Sequence, residues 1–397
     1  MEREPYKQFP YVGPLPFDFS DAKFFGGRDS ETRRIVDEIF VNRIFLLYAQ
    51  SGAGKTSLLN AGIIPRLKEE GCEVFPPARV AGLIPHGING EEISNIYVLN
   101  SILCWIGTKA DLKQLSQKTI ADYLMEREHP LDEVGQPRMR VIIFDQLEDI
   151  FSVYQEYWQH RAPFFQQVNR ALEQDRFLRV VFALREDYLG SMEAYAALLA
   201  DKPQMRFRLE PLRKEGAMSA LVEPLRETGL SFDEGVAERL VDELLKIQVE
   251  TPDGSKYVTG EFIEAAQLQV ICHTLWRKLP SEKKVITIDD VEAFANVDRE
   301  LATFYDTALE RAAYATGVDE KLIREWFGRT LITPSGTRAV VVQGDIETGG
   351  LPNSVLEQLV SQYLIRAEVR GGRRWFELAH DRFIQPVLQS NQKHSKI

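Results

Sequence analysis

The chain has 397 residues, 44% hydrophobic and 27% charged, with a formal net charge of -11, which is the make-up of a globular protein of several domains whose acidic surface argues against non-specific binding of nucleic acid or anionic membrane. Three scattered cysteines, Cys72, Cys104 and Cys272, have no metal-ligand spacing and fit a reducing cytoplasm. The start lacks a signal peptide, and no run reaches the ~18 apolar residues of a membrane span.

The first 20 residues are rich in proline and aromatics and predict an extended arm, because proline blocks helix. Helical spacing follows over 29–40, with Ile35, Ile39 and Phe40 on one face. Short apolar runs at 44–48, 73–80, 141–144, 179–184 and 205–209 read as strands. The stretches 57–68, 102–125 and 154–174 between them read as helices. Buried strands alternating with helices predict an α/β fold, a parallel sheet flanked by helices.

The pattern changes after Pro211. Helices are expected at 214–228, at 233–248 with Asp233 as N-cap, at 262–278 and at 288–313, with a loop or hairpin over 249–261. This is a small helical domain. Helices at 321–329 and 354–362 then precede two strands, 363–369 and 373–378, around the turn signal Arg370-Gly371-Gly372. A last helix is expected at 382–389. Helices followed by a β-hairpin fit a winged-helix domain. Trp105, Trp158, Trp276, Trp326 and Trp375 sit among apolar positions and read as core.

The chemistry concentrates in three strand ends. Ala49-Gln50-Ser51-Gly52-Ala53-Gly54-Lys55-Thr56 follows a strand and opens a helix, the setting of a phosphate-binding loop. Backbone N–H groups at a glycine turn and a helix N-terminus attract a polyphosphate. Gly52 and Gly54 permit close backbone approach, Lys55 reaches the terminal phosphates, and the Thr56 hydroxyl is a ligand for Mg²⁺. The usual first glycine is replaced by the small Ala49. The strand 141–144 ends in Asp145-Gln146-Leu147-Glu148-Asp149. Asp145 would hold Mg²⁺, and Glu148 or Asp149 would polarise the attacking water. The third strand ends in Arg185, placed to sense a γ-phosphate or stabilise transition-state charge. His380-Asp381 sits before the last helix, where Asp381 suits an N-cap.

These motifs resemble the STAND class of AAA+-related NTPases, in particular its bacterial branch, over nearly the whole chain. Phe24-Phe25-Gly26-Gly27-Arg28-Asp29-Ser30-Glu31 is similar to the class's entry motif, so the resemblance places Gly27 and Arg28 against the adenine. Ser51, Ala53 and Ser57 match its phosphate loop. Asp145 to Asp149 resembles its Asp-Gln-Phe-Glu-Glu signature; Asp149 replaces the second glutamate, which favours Glu148 as the catalytic carboxylate. Leu209-Glu210-Pro211-Leu212 is similar to the segment whose proline touches adenine. Leu268 to Cys272 and Trp276 match a lid helix. Trp375 to Asp381 looks like the end of the class's winged helix, with Ala379 where a methionine is usual, and the resemblance makes His380 a contact of the ADP β-phosphate. The implied domains are an arm at 1–20, a P-loop core at 21–212, a helical lid at 213–315 and a winged helix at 316–397.

The resemblance implies a cytoplasmic switch driven by ATP and ADP with Mg²⁺. It would hydrolyse slowly and change domain arrangement or self-associate to signal to an effector, in prokaryotic signalling or defence. Effector and sensor are expected as separate proteins or domains. Two rivals remain. One is a DNA-dependent ATPase of the origin-recognition type, since residues 331–397 carry a net +2 and the turn 370–374 is basic. The other is a nucleotide-binding scaffold without turnover, which intact Lys55, Asp145 and Glu148 disfavour.

Overall fold

The computed structural model describes residues 9–13, 15–50, 52–81, 93–106, 112–152, 155–201, 205–251, 254–280, 282–294, 297–334, 336, 339–362, 364–370, 373–379 and 383–394. The chain divides into two compact units, one of residues 17–22 and 28–210, the other of residues 1–16, 23–27 and 211–397.

The first unit is built on a five-stranded parallel sheet. Its strands are β1 (Ile44–Ala49), β2 (Glu73–Val74), β3 (Arg140–Phe144), β4 (Leu178–Arg185) and β5 (Met205–Arg208), in the order β2-β3-β4-β1-β5. The apolar runs form strands because both faces of the central three are covered. Ile44, Leu46, Ile142, Phe144, Val180 and Phe182 join helices α3 (Ile96–Ile106), α5 (Ile120–Met125) and α7 (Arg161–Gln174) in one core. The alternate residues, such as Phe45, Leu47, Ile143 and Val181, are buried as well. Helices α1 (Asp29–Val41) and α2 (Lys55–Glu69) approach β1.

Helix α2 carries the phosphate loop and is irregular. It runs Lys55–Ser57, then a π-helical stretch Leu58–Ile63, then Ile64–Glu69. Pro65 lies inside this rod. Proline lacks the N–H for the carbonyl four residues back and its ring clashes there, and a π turn relieves both.

Several expectations need correction in this unit. The strand expected at 73–80 is only Glu73–Val74, with Ala78 bridging to Phe144 in parallel after Pro76 and Pro77 interrupt the ladder. The single helix expected over 102–125 is α3, α4 (Leu112–Leu115) and α5; Thr119 breaks the run by capping α5, its hydroxyl accepting from the Asp122 N–H at 3.1 Å. Helix 154–174 begins as a 3-10 turn, Gln155–His160. Trp158 is exposed there, at 58%, and is not core. Short helices α6 (Asp149–Ser152) and α8 (Leu189–Ala196) complete the unit.

The second unit has one hydrophobic core running from Tyr11 and α9 (Lys214–Val222) through α13 (Val297–Thr316) to α16 (Ile384–His394). In between lie β6 (Ser231–Phe232), α10 (Val236–Leu244), the hairpin β7 (Lys246–Thr251) and β8 (Gly254–Thr259), α11 (Ala265–Lys278), β9 (Val285–Ile286), α12 (Ile288–Phe294) and α13 (Val297–Thr316). Then come α14 (Glu320–Trp326), β10 (Val340–Val342), β11 (Glu347–Thr348), β12 (Leu351–Pro352), α15 (Asn353–Ser361), β13 (Ile365–Arg370) and β14 (Arg373–Leu378). The expected terminal hairpin is β13–β14, and β10 pairs with β14 to make three strands. The arm contributes here: the Tyr11 hydroxyl donates to the Leu221 carbonyl at 2.6 Å and the Val12 N–H to Gln269 Oε1 at 3.1 Å.

Three expectations change in this unit. Helix 233–248 stops at Leu244, because the following residues pair as a hairpin. Its N-cap is Gly235, in the left-handed region at φ 76°, rather than Asp233, whose carboxylate accepts from the Glu234 N–H. Helix 214–228 ends as α-helix at Val222 and continues as a 3-10 turn from Glu223, where Pro224 cannot donate. The described residues of 288–313 are helical, over Ile288–Phe294 and Val297–Thr316. Asp381 and His380 lie outside the described residues.

Gly27 shows why the entry motif needs glycine. Its φ is +81°, and a Cβ there would lie 2.1 Å from the Gly216 carbonyl oxygen and 3.0 Å from Ala220 Cβ, both on α9. Gly27→Ala is expected to cost at least about 3 kcal/mol, from the left-handed backbone and the overlap together. Urea unfolding followed by circular dichroism measures this, and a midpoint within error of wild type would remove the close approach as a constraint.

Candidate nucleotide-binding site

The site lies at the carboxyl ends of β1, β3 and β4, where the apolar strands give way to polar residues. Ala49 is the last residue of β1, fully buried and paired with Arg185 in the register. An extended strand end tolerates alanine, which accounts for the missing first glycine. The chain then turns through Gly52 at φ 82° and Gly54 at φ 95°. Only glycine adopts these angles without strain. Gly54 is the N-cap of α2, so the helix's positive end follows directly on the glycine turn.

Lys55 is 9% exposed, and its ammonium donates to the carbonyls of Ala49 at 3.2 Å and Gln50 at 3.4 Å. These are long contacts within the loop itself. Burial lowers its pKa, while the charges of Glu148 and Asp145 act in the opposite direction. The Thr56 hydroxyl donates to Asp145 Oδ2 at 2.8 Å. Asp145 is 2% exposed, and Oδ1 accepts from the Gln146 N–H at 3.0 Å. Gln146 has φ 55°, a left-handed conformation unusual for a side-chain-bearing residue. That turn separates Asp145 from Glu148 and aims both into the site.

Glu148 is buried, and its Oε2 accepts from the Arg185 N–H at 3.2 Å, so the carboxylate is anchored at the end of β4. Burial raises its pKa to about 7, against the charge of Lys55. Asp149 is raised to about 6, again chiefly by burial. A carboxyl poised near neutrality suits a general base. The Arg185 guanidinium reaches Asp187, with Nε 3.3 Å from Oδ1. To meet a phosphate it would have to leave that partner.

A hydroxyl and a carboxylate oxygen 2.8 Å apart fit Mg²⁺, a hard ion whose adjacent ligands at ~2.1 Å stand ~3 Å apart. Thr56 and Asp145 would hold it. Among the described residues no group of three or more His, Cys, Asp or Glu forms a metal cluster, so this two-residue set relies on phosphate and water for the remaining positions.

The structure therefore brings together Gly52, Ala53, Gly54, Lys55, Thr56, Asp145, Glu148, Asp149 and Arg185. Ser57 lies one turn into α2, and its hydroxyl accepts from the Phe17 N–H at 3.2 Å. Arg28 is buried, and its guanidinium donates to the Ala53 carbonyl at 3.3 Å, the Glu210 carbonyl at 2.8 Å and Glu31 at 2.7 Å. It braces the phosphate loop through Ala53. Gly27 and Pro211 belong to the second unit. Ser51 and His380 lie outside the described residues. The sequence motifs gave no hint of Arg79, whose Nη2 stands 3.5 Å from Asp145 Oδ2. It lies beyond the end of β2 and inside the strand expected at 73–80, so the strand-end rule that selected Arg185 could not find it.

The model of a protein family described as Novel STAND NTPase 1 matches residues 10–386. Comparison with curated proteins found no match. Among solved structures, a Walker-type ATPase of Pyrococcus abyssi is 14% identical, with 94% of this chain and 98% of that one covered and a TM-score of 0.44. The ORC2 protein of Aeropyrum pernix, solved with ADPNP and ADP, is 15% identical over 93% and 95%, with a TM-score of 0.43. The ORC1 protein of Aeropyrum pernix in complex with DNA is 13% identical over 96% of each, with a TM-score of 0.41.

Proposed function

We propose that this chain, which belongs to the novel STAND NTPase 1 family, is an ATP/ADP-operated switch that hydrolyses Mg-ATP slowly and changes domain arrangement or oligomeric state to engage an effector. The observation that carries it is the buried charge cluster of Lys55, Asp145 and Glu148 around the Thr56–Asp145 hydrogen bond. These charges face one another and the loop carbonyls, and a polyanion with its cation fits beside Lys55 and the Thr56–Asp145 pair. Bound there, Mg²⁺ would supply positive charge to the phosphates. Lys55 and the loop N–H groups hold the phosphates, Glu148 takes a proton from water, and Arg185 meets the γ-phosphate.

A switch needs two states that bind ATP and ADP with unequal affinity. Two units with separate cores supply bodies that can rearrange. Pro211 and His380 enter the proposal through the resemblance alone, as does a role in prokaryotic signalling or defence. DNA binding through the terminal hairpin is less favoured: Arg374 of the turn is paired with Glu357, and Arg366 on β13 with Glu377.

The test uses the protein as isolated. Released nucleotide is identified by chromatography after denaturation, and particle mass is recorded by light scattering before and after exchange into a slowly hydrolysed ATP analogue. Near-stoichiometric ADP, followed by a change in mass or hydrodynamic radius on exchange, is the expected result. Identical mass and radius in both nucleotides would sink the switch, and rapid DNA-stimulated turnover would favour the origin-recognition rival.

A further inference from the structure

Arg79 is held beside the carboxylates by its backbone. The neighbouring Ala78 donates its N–H to the Ile143 carbonyl at 2.8 Å, and its carbonyl accepts from the Asp145 N–H at 3.0 Å. The Arg79 N–H donates to Cys104 Sγ at 3.4 Å. The side chain is 39% exposed and reaches Asp145 Oδ2 at 3.5 Å. That is the oxygen that already accepts the Thr56 hydroxyl, while Oδ1 accepts from the Gln146 N–H. The same oxygen therefore accepts the Thr56 hydroxyl and faces the Arg79 guanidinium as an ion pair.

We propose that Arg79 is a positioning residue that competes with a divalent cation for Asp145 Oδ2. A guanidinium has only donors and cannot share a metal. It neutralises the buried carboxylate when no cation is there, and must let go for one to bind. Its place supports this: β2 is the sheet neighbour of β3 on the side away from β4 and β1, so Arg79 reaches the metal ligand from behind rather than from among the phosphate-binding residues. Its charge also acts on Asp149, opposing the rise that burial causes. The consequence is a raised threshold: cation and nucleotide load together only where Mg²⁺ is plentiful enough to displace Arg79. This inference rests on Thr56 and Asp145 being the cation site.

The experiment strips the protein with a chelator and titrates Mg²⁺ at a fixed concentration of fluorescent ADP, for wild type, Arg79→Met and Arg79→Lys. Removing a competing, partly screened charge should lower the Mg²⁺ midpoint by roughly three- to tenfold in Arg79→Met, with Arg79→Lys in between. A residue that only propped up Asp145 would act in the opposite sense, so a raised or unchanged midpoint overturns the proposal. Should Arg79→Met fail to fold, Arg79→Lys decides by the same sign. Nucleotide binding by wild type that ignores Mg²⁺ altogether would overturn the cation site itself and the inference with it, and is told apart because the unmodified protein already shows it.

Discussion

Lys55→Ala is expected to remove tight nucleotide binding, with affinity for ADP falling by roughly 100-fold or more in a calorimetric titration. The ammonium has three donors and now turns two of them on the Ala49 and Gln50 carbonyls at 3.2 and 3.4 Å. Those contacts are long, so the donors turn to phosphate oxygens at little cost. A hydrogen bond to a charged group is worth about 1.5–3 kcal/mol, and two of them reach the expected loss. The loop N–H groups remain, which is why weak binding should persist at high nucleotide concentration. The fold should survive, because the variant exchanges a buried cation, already disfavoured by burial, for a small apolar side chain. Affinity within about threefold of wild type, at an unchanged melting temperature, would mean that the phosphates bind elsewhere.

The sheet and the phosphate loop were legible because single local causes decide them. Ile44 to Ala49 and Val141 to Phe144 are apolar without interruption, and only a strand covered on both faces uses such a run. Gly52 and Gly54 announce positive φ. Lys246 to Gln248 were illegible for the opposite reason: they continue the helical spacing of α10, yet their pairing with Tyr257 to Thr259 decides their state. Propensity yields where a long-range ladder forms. Arg79 escaped notice because Pro76 and Pro77 end β2 early, and the return of Ala78 to the β3 ladder depends on the Asp145 and Ile143 backbone groups. Gln146 carries no mark of its left-handed turn at all. Arg28 was visible in its motif, but its partners, the carbonyls of Ala53 and Glu210, are 25 and 182 residues away. Motif and spacing pick out the residues that meet at this site; the braces that hold them in place are long-range and appear only in three dimensions.

Glu148→Gln separates hydrolysis from binding. Glutamine keeps the shape and can still accept the Arg185 N–H, but it takes no proton from water. Loss of a general base costs about 10²–10⁴-fold in kcat, while ADP affinity should stay within about threefold. If Asp149→Asn, rather than Glu148→Gln, stops turnover, the roles of the two carboxyls are reversed. The pH profile gives a second, independent readout. The Glu148 pKa is raised from 4.5 to about 7 in the folded chain, so the folded state holds a proton that the unfolded state releases. The stabilisation from that proton is fully present below pH ~4.5 and is lost as pH rises through about 7. Wild type should therefore lose stability across that window relative to Glu148→Gln, by an amount on the order of 3 kcal/mol. The variant, inactive, should be the more stable protein at pH 8 and nearly equal to wild type at pH 5. Turnover runs the other way, since the base must be ionised. In wild type, kcat/KM reports the free enzyme and should fall about tenfold per pH unit below 7. A melting difference that is the same at both pH values would show that the Glu148 carboxyl is not perturbed by its burial, and the acid limb of the rate profile would then belong to another group.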